Sequence, residues 1–92
     1  MKKHELLNLE NVGPATLKDF EVLKIHSIEQ LAQADADELY VRLQKLTKTK
    51  HDPCVWDVFA AAIHEAQTGE KTKWWEWTPQ RKARQANGTF NL

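Results

Sequence analysis

Apolar residues return every three or four positions over residues 4–68, the period of helices that bury one face. Leu6, Leu7 and Leu9 predict a short helix over residues 4–10. Asn11-Val12-Gly13-Pro14 stops it, because asparagine and glycine tolerate positive φ and proline suits the first turn of a new helix. The second helix starts at Pro14 and sets Leu17, Phe20 and Leu23 on one face, with Val22 nearby. Ser27, with Gln30 three residues on, predicts a capping box and a third helix over 27–34 that buries Ile28, Leu31 and Ala32. Asp35 with Glu38 repeats the signal for a fourth helix over 36–47, striped by Leu39, Tyr40, Leu43 and Leu46. A polar loop follows, up to His51. Asp52-Pro53 opens a fifth helix that runs to about Gln67, with Gly69 to close it. Its buried face is expected to hold Val55, Phe59, Ala62, Ile63 and Ala66, with Val58 at the margin and Asp57, Ala61, His64 and Glu65 towards the other side. No alternating run predicts a strand.

The expected fold is therefore all-α, a single small domain of five short helices over residues 4–68. A tryptophan-rich basic tail over 69–92 is expected to pack partly on it. Trp74 and Trp75 are favoured to fold back on the core with one tryptophan left at the surface, an exposed Trp77 being the docking candidate; which of the three are core and which binding surface is left open, and residues after 86 would be loose.

Ninety-two residues leave room for one domain. At 41% hydrophobic and 28% charged, wholesale disorder is excluded. Thirteen Lys and Arg balance thirteen Asp and Glu, which excludes a strongly basic coat but not a local patch. Such a patch occurs over residues 71–84, where Lys71, Lys73, Arg81, Lys82 and Arg84 face only Glu76, a local charge of +4. One cysteine excludes an internal disulfide or a cysteine zinc cluster. No apolar run approaches a membrane span, and the opening MKKHELLNLEN has no apolar stretch behind its lysines. The expectation is a cytoplasmic protein with no membrane contact.

The bend between the first two helices holds the first candidate chemistry. Leu6-Leu7-x-Leu9-Glu10-Asn11-Val12-Gly13-Pro14-Ala15-Thr16-Leu17-x-x-Phe20 has the layout of a helix-hairpin-helix motif. Val12 would be the apolar plug between the helices. Gly13 would let the backbone approach a ligand, and the amides beside Ala15 and Thr16 would point outward. Free N–H groups at a helix N-terminus favour a phosphate oxygen and carry no base information. Two residues depart from the usual pattern: Asn11 replaces the first glycine of Gly-apolar-Gly, and Ala15 stands where many DNA-binding hairpins carry lysine. The nearest cation is Lys18, a turn further on, with Asp19 and Glu21 beside it. The same hairpin also serves for packing helices alone.

The string from Asn8 to Tyr40, the stretch Asp52, Pro53, Cys54, Val55, x, Asp57, Val58, Phe59, and the later WWEW resemble the small bacterial "pathogenicity locus" family. Its members are often labelled mitomycin resistance proteins. The resemblance covers residues 5–82. The front half is also similar to the C-terminal domain of the competence regulator TfoX, which shares the Asn-apolar-Gly turn. The resemblance implies a helix-hairpin-helix protein. It supplies no activity, cofactor or site.

In the tail, aromatics interleaved with cations suit single-stranded or distorted nucleic acid, since bases stack on indoles and cations hold phosphates. The candidate nucleic-acid-binding residues are thus Asn11, Val12, Gly13, Ala15, Thr16 and Lys18 in the hairpin, and Lys71, Lys73, Trp77, Arg81 and Lys82 in the tail. Cys54 falls in the first turn of the fifth helix, three residues from His51, where the helix dipole favours a thiolate. It reads either as a redox group or as a small buried residue. His51, Asp52, Cys54 and His64 match no zinc signature, and His4, His26, His51 and His64 read as surface or capping residues. No glycine-rich phosphate loop, serine elbow or HExxH string occurs. The expected protein is not an enzyme and takes no cofactor or metal. Its expected partner is nucleic acid, DNA first. The alternative is a protein-interaction module that docks through an exposed Trp77. The oligomeric state is left open.

Overall fold

A computed structural model describes residues 3–92, with side chains from residue 5 onward. The surface position expected of His4 lies outside the described residues. Among the described residues six α-helices form: α1 (Lys3–Leu6), α2 (Pro14–Val22), α3 (Ile28–Ala32), α4 (Ala36–Thr47), α5 (Cys54–Thr68) and α6 (Thr78–Ala86). A 3-10 turn over Trp74–Trp77 leads directly into α6. No strand occurs among the described residues, and none of their helices is long and apolar enough to cross a membrane. The fold is all-α.

The expected helix starts hold because short side chains satisfy the first amides. Ser27 accepts from the Gln30 N–H at 3.1 Å, and Asp35 accepts from the Glu38 N–H at 3.0 Å. Gln30 returns a side-chain bond to His26 N–H rather than to the cap residue itself. Gly69 closes α5 with φ 79°, a left-handed conformation that suits a residue without Cβ. The first helix is shorter than expected. After Leu6 the chain continues as tight turns, in which Leu9 N–H donates to Leu6 and Val12 N–H to Leu9. A three-residue repeat of these bonds lines Leu6, Leu9 and Val12 up against the core, while Leu7 stays exposed.

Helix α5 is the axis of the molecule. It packs against α3 and α4 on one side and against the 3-10 turn and α6 on the other. Phe59 stacks on Phe20 of α2 with ring centroids 5.5 Å apart. The reverse side, expected to face solvent, is buried as well. Asp57 and Ala61 are 0% exposed and Glu65 only 6%. The expected solvent side of α5 is thus corrected, and the cause is the tail. Its residues form an ordered helix that covers the side left bare by the first five. Trp56, which the apolar stripe did not single out, is a core residue whose indole N–H donates to Asp37 at 2.7 Å. The end of the chain also returns to the core. Phe90 lies against Tyr40 and Trp56, with centroids 6.0 and 5.9 Å away, so the expectation of loose residues after 86 does not describe this segment.

Candidate functional site

The bend before α2 is fastened from beneath. Val12 is buried, as a plug should be. Glu10 N–H donates to Glu65 Oε1 at 2.8 Å, and Lys71 Nζ donates to Glu65 Oε2 at the same distance. The Asn11 amide forms a two-point clip on the tail backbone. Its Nδ2 donates to Thr72 O at 2.7 Å, and its Oδ1 accepts from Trp74 N–H at 2.9 Å. Positive φ among non-glycine residues occurs only at Lys24 and Lys48 among the described residues. Asn11 therefore does not stand in for glycine by holding a left-handed turn. It is asparagine because one amide group both donates to and accepts from a passing backbone, which glycine cannot do.

The outer side of the bend is open. Gly13, Pro14 and Ala15 are exposed. Gly13 is the N-cap of α2 and forms no side-chain cap. The first bond of the helix is Leu17 N–H to Gly13 O at 2.9 Å, and no acceptor meets the Ala15 or Thr16 N–H among the described residues. No acidic residue lies in the first turn of α2. Gly13 itself has φ −101° and ψ −173°, extended backbone open to any residue, and a Cβ built on it would meet nothing within 4 Å. Neither conformation nor internal packing explains a glycine there. What it leaves is bare peptide surface over two uncapped amides. Lys18 is exposed one turn on and forms no ion pair among the described residues. Asp19 beside it is pushed up from the usual carboxylate range by burial, with His51 and Lys18 pulling the other way.

The tail cations are mostly consumed inside the molecule. Lys71 pairs with Glu65, which raises the lysine's pKa. Lys73 pairs with Glu10 and holds that carboxyl below its usual range. Arg81 is 7% exposed, and Asp57 takes its Nε at 3.1 Å and its Nη2 at 3.0 Å. Arg84 pairs with Asp37 at 2.8 Å and lies over the Trp56 and Phe90 rings. As placed, Lys71 and Lys73 are ion-paired and Arg81 is buried, so none of these three candidate residues is a free cation. Lys82 alone in that segment is exposed and unpaired among the described residues.

The tryptophans differ from expectation too. Trp77 is half-buried against the core, lies tilted at 58° against His64 with centroids 5.3 Å apart, and donates its indole N–H to Thr72 Oγ1 at 3.0 Å. The exposed ring is Trp75, at 55%. This reverses the favoured roles of Trp75 and Trp77 and removes Trp77 as an exposed docking residue. Trp75 and Trp74 meet edge to face, 5.6 Å and 83° apart, beside an open groove of about 670 Å³ lined by both rings together with Cys54, Thr78, Pro79, Arg81 and Lys82.

Cys54 is half-buried, 3.6 Å from Arg81 Nη2. Its thiol is pushed up, first by its hydrogen bond to Asp52, then by burial and the Asp52 charge. The expected thiolate-favouring dipole is therefore outweighed by an adjacent carboxylate. No group of three or more His, Cys, Asp or Glu among the described residues is arranged to hold a metal ion.

Sequence reading missed α6, the Asp57–Arg81 pair, Glu65 and the Asn11 clip. One signal for them was available. A tail of +4 in a neutral chain implies an equal negative charge elsewhere, and Asp57 and Glu65 lie eight residues apart along one side of α5.

Residues 2–83 match the family described as "Pathogenicity locus". The chain is 36% identical over 78 residues to "Mitomycin resistance protein McrB" of Streptomyces lavendulae, a match covering 85% of this chain and 74% of that protein. No solved structure matches. On that coverage, the chain belongs to the Pathogenicity locus family.

Proposed function

We propose that this is a cytoplasmic, non-catalytic helix-hairpin-helix module that binds nucleic acid, DNA first, without reading its sequence. One observation carries the reading. Gly13 is a bare N-cap over the unsatisfied Ala15 and Thr16 amides, and nothing inside the fold requires a glycine there. A phosphate oxygen accepts from both amides, favoured by the partial positive charge of the helix end, and Lys18 adds a cation one turn along. Val12 anchors the bend, and the Asn11 clip and the Glu65 carboxylate hold it rigid from behind. These contacts address the phosphate backbone, so they position a duplex and do not discriminate bases.

Gly13→Asp tests this cleanly. An aspartate at the N-cap accepts from the same two amides and places a negative charge on the helix end. It should raise stability by roughly 0.3–1 kcal/mol in urea denaturation. It should abolish duplex binding in fluorescence anisotropy at about 50 mM salt, where phosphate contacts are strong. Unchanged binding by Gly13→Asp, or no binding of duplex or branched DNA by the unaltered protein, rejects the reading.

The rival is a protein-interaction module on the same scaffold. The internal pairing of most tail cations favours it. A pull-down with and without nuclease separates the two: partners that survive nuclease treatment support the rival.

A further inference from the structure

We propose that the groove beside α6 holds an unpaired nucleobase on the Trp74–Trp75 corner with its phosphate on Lys82, so that the preferred ligand is a duplex carrying a single-stranded extension. This rests on the nucleic-acid reading above and adds a second, chemically different subsite. The groove, at about 670 Å³, falls within the roughly 300–1,000 Å³ of small-ligand sites. The two indoles and the Pro79 ring give it apolar walls, beside Cys54, Thr78, Arg81 and Lys82. Because the indoles stand at 83°, a planar group laid on the face of one stands nearly perpendicular to the other, so stacking and an edge-to-face contact are available at one corner. Trp75 is more than half exposed, so its stacking surface is not spent on the core.

Charge identifies the occupant. Of the five cations over residues 71–84, Lys71, Lys73, Arg81 and Arg84 are neutralised by Glu65, Glu10, Asp57 and Asp37. Lys82 is left over, and it lines this groove. An apolar peptide would cover the indoles and leave that ammonium unmatched. A nucleotide supplies a π-face and an anion together, and base stacking tolerates any sequence. Position supplies the link to the duplex. The Asn11 clip joins the bend that offers the free amides to Trp74, the first residue of the groove wall. The bend and the groove wall are thus neighbours, and a duplex with an unpaired extension is the ligand able to meet both.

The test compares a blunt duplex, the same duplex with a short oligo-dT extension, and oligo-dT alone, by anisotropy. The variants are Trp75→Ala, Trp75→Phe and Lys82→Ala, each checked for an unaltered thermal midpoint. Trp75→Ala should weaken the extended duplex and oligo-dT by about 5- to 150-fold, the loss of one stacked base, and leave the blunt duplex unchanged. Trp75→Phe should restore most of the loss, because the phenyl ring keeps a π-face. Lys82→Ala should lower the salt slope for oligo-dT by about 0.7. If blunt duplex binds and Trp75→Ala changes nothing, the groove proposal falls and the bend reading stands. If oligo-dT binds through Trp75 and blunt duplex does not bind, the groove stands and the duplex reading falls. Failure of all three probes overturns both. A Trp75-dependent dimer formed without nucleic acid overturns the groove proposal in favour of a second copy of the chain.

Discussion

Asp57 is completely buried, yet it accepts three hydrogen bonds, from Arg81 Nε, Arg81 Nη2 and Thr78 Oγ1. Its removal is the sharpest way to ask whether α6 belongs to the fold. Asp57→Ala leaves Arg81 with Gln85 Oε1 at 3.2 Å and the Cys54 sulfur, neither of which neutralises a guanidinium. Breaking a buried pair from one side costs about 3–5 kcal/mol, because the remaining charge stays desolvated. Small domains have about 5–15 kcal/mol in total, so this is a large fraction. At about 4–8 °C per kcal/mol for a domain this size, the thermal midpoint should fall by about 12–40 °C. Urea denaturation followed by tryptophan fluorescence measures the loss, since Trp74, Trp75 and Trp77 immediately precede α6. The control is Asp57→Leu combined with Arg81→Met, which removes both charges and keeps apolar volume. Replacing a buried pair in this way is often neutral or stabilising. The double variant should therefore be more stable than Asp57→Leu alone by about 2 kcal/mol or more, the unpartnered Thr78 hydroxyl being common to both. Additive losses in the two single variants and the double would refute the argument, because independent sites add and a coupled pair does not.

Three further outcomes follow from the contacts. Asn11→Gly restores the common Gly-apolar-Gly pattern but deletes the clip, so stability should drop by roughly 1–3 kcal/mol and the Trp74 amide should exchange faster with deuterium; unchanged exchange at Trp74 contradicts the clip. Asp37 is held below its ordinary carboxylate value first by its hydrogen bonds from Arg84, with Trp56 contributing, against burial. Its pairing thus stabilises the fold above the unfolded-state value of about 3.9 and is lost as pH falls through the lower folded-state value, so Asp37→Asn should flatten the acid side of a midpoint-versus-pH curve; an identical acid limb in the variant rejects this. The Cys54 thiol, raised by Asp52, should react with iodoacetamide at neutral pH more slowly than in the unfolded chain, and Asp52→Asn should speed the folded-state reaction. A folded-state rate above the unfolded one would overturn that assignment.

Local chemistry was legible in the sequence, and the reason is range. A cap acts over three residues, so Ser27, Asp35 and Gly69 set helix ends without reference to the rest of the chain, whereas the expected Asp52 cap lies one residue before the Pro53 N-cap of α5 and its carboxylate accepts from Cys54 N–H. A 3.6-residue period likewise identified Phe20, Leu31, Leu39, Leu43 and Phe59 as core. The uncapped bend at Gly13 was legible for the same reason. The second side of α5 was not. Asp57 and Glu65 are hydrophilic by type, and periodicity assigns such residues to solvent. Only a partner carrying the opposite charge, supplied from 6 to 24 residues further along the chain, makes their burial affordable. The exchange of Trp75 for Trp77 at the surface has the same origin, since adjacent aromatics carry no periodic signal and the Asn11 clip sets how the 3-10 turn enters. What the sequence alone determined is therefore where helices begin, end and turn one apolar stripe inward. The tertiary structure decided which charges are spent in pairs and which cation and which indole of the tail are left outside, because ion pairing and burial depend on distances between segments that no local pattern encodes.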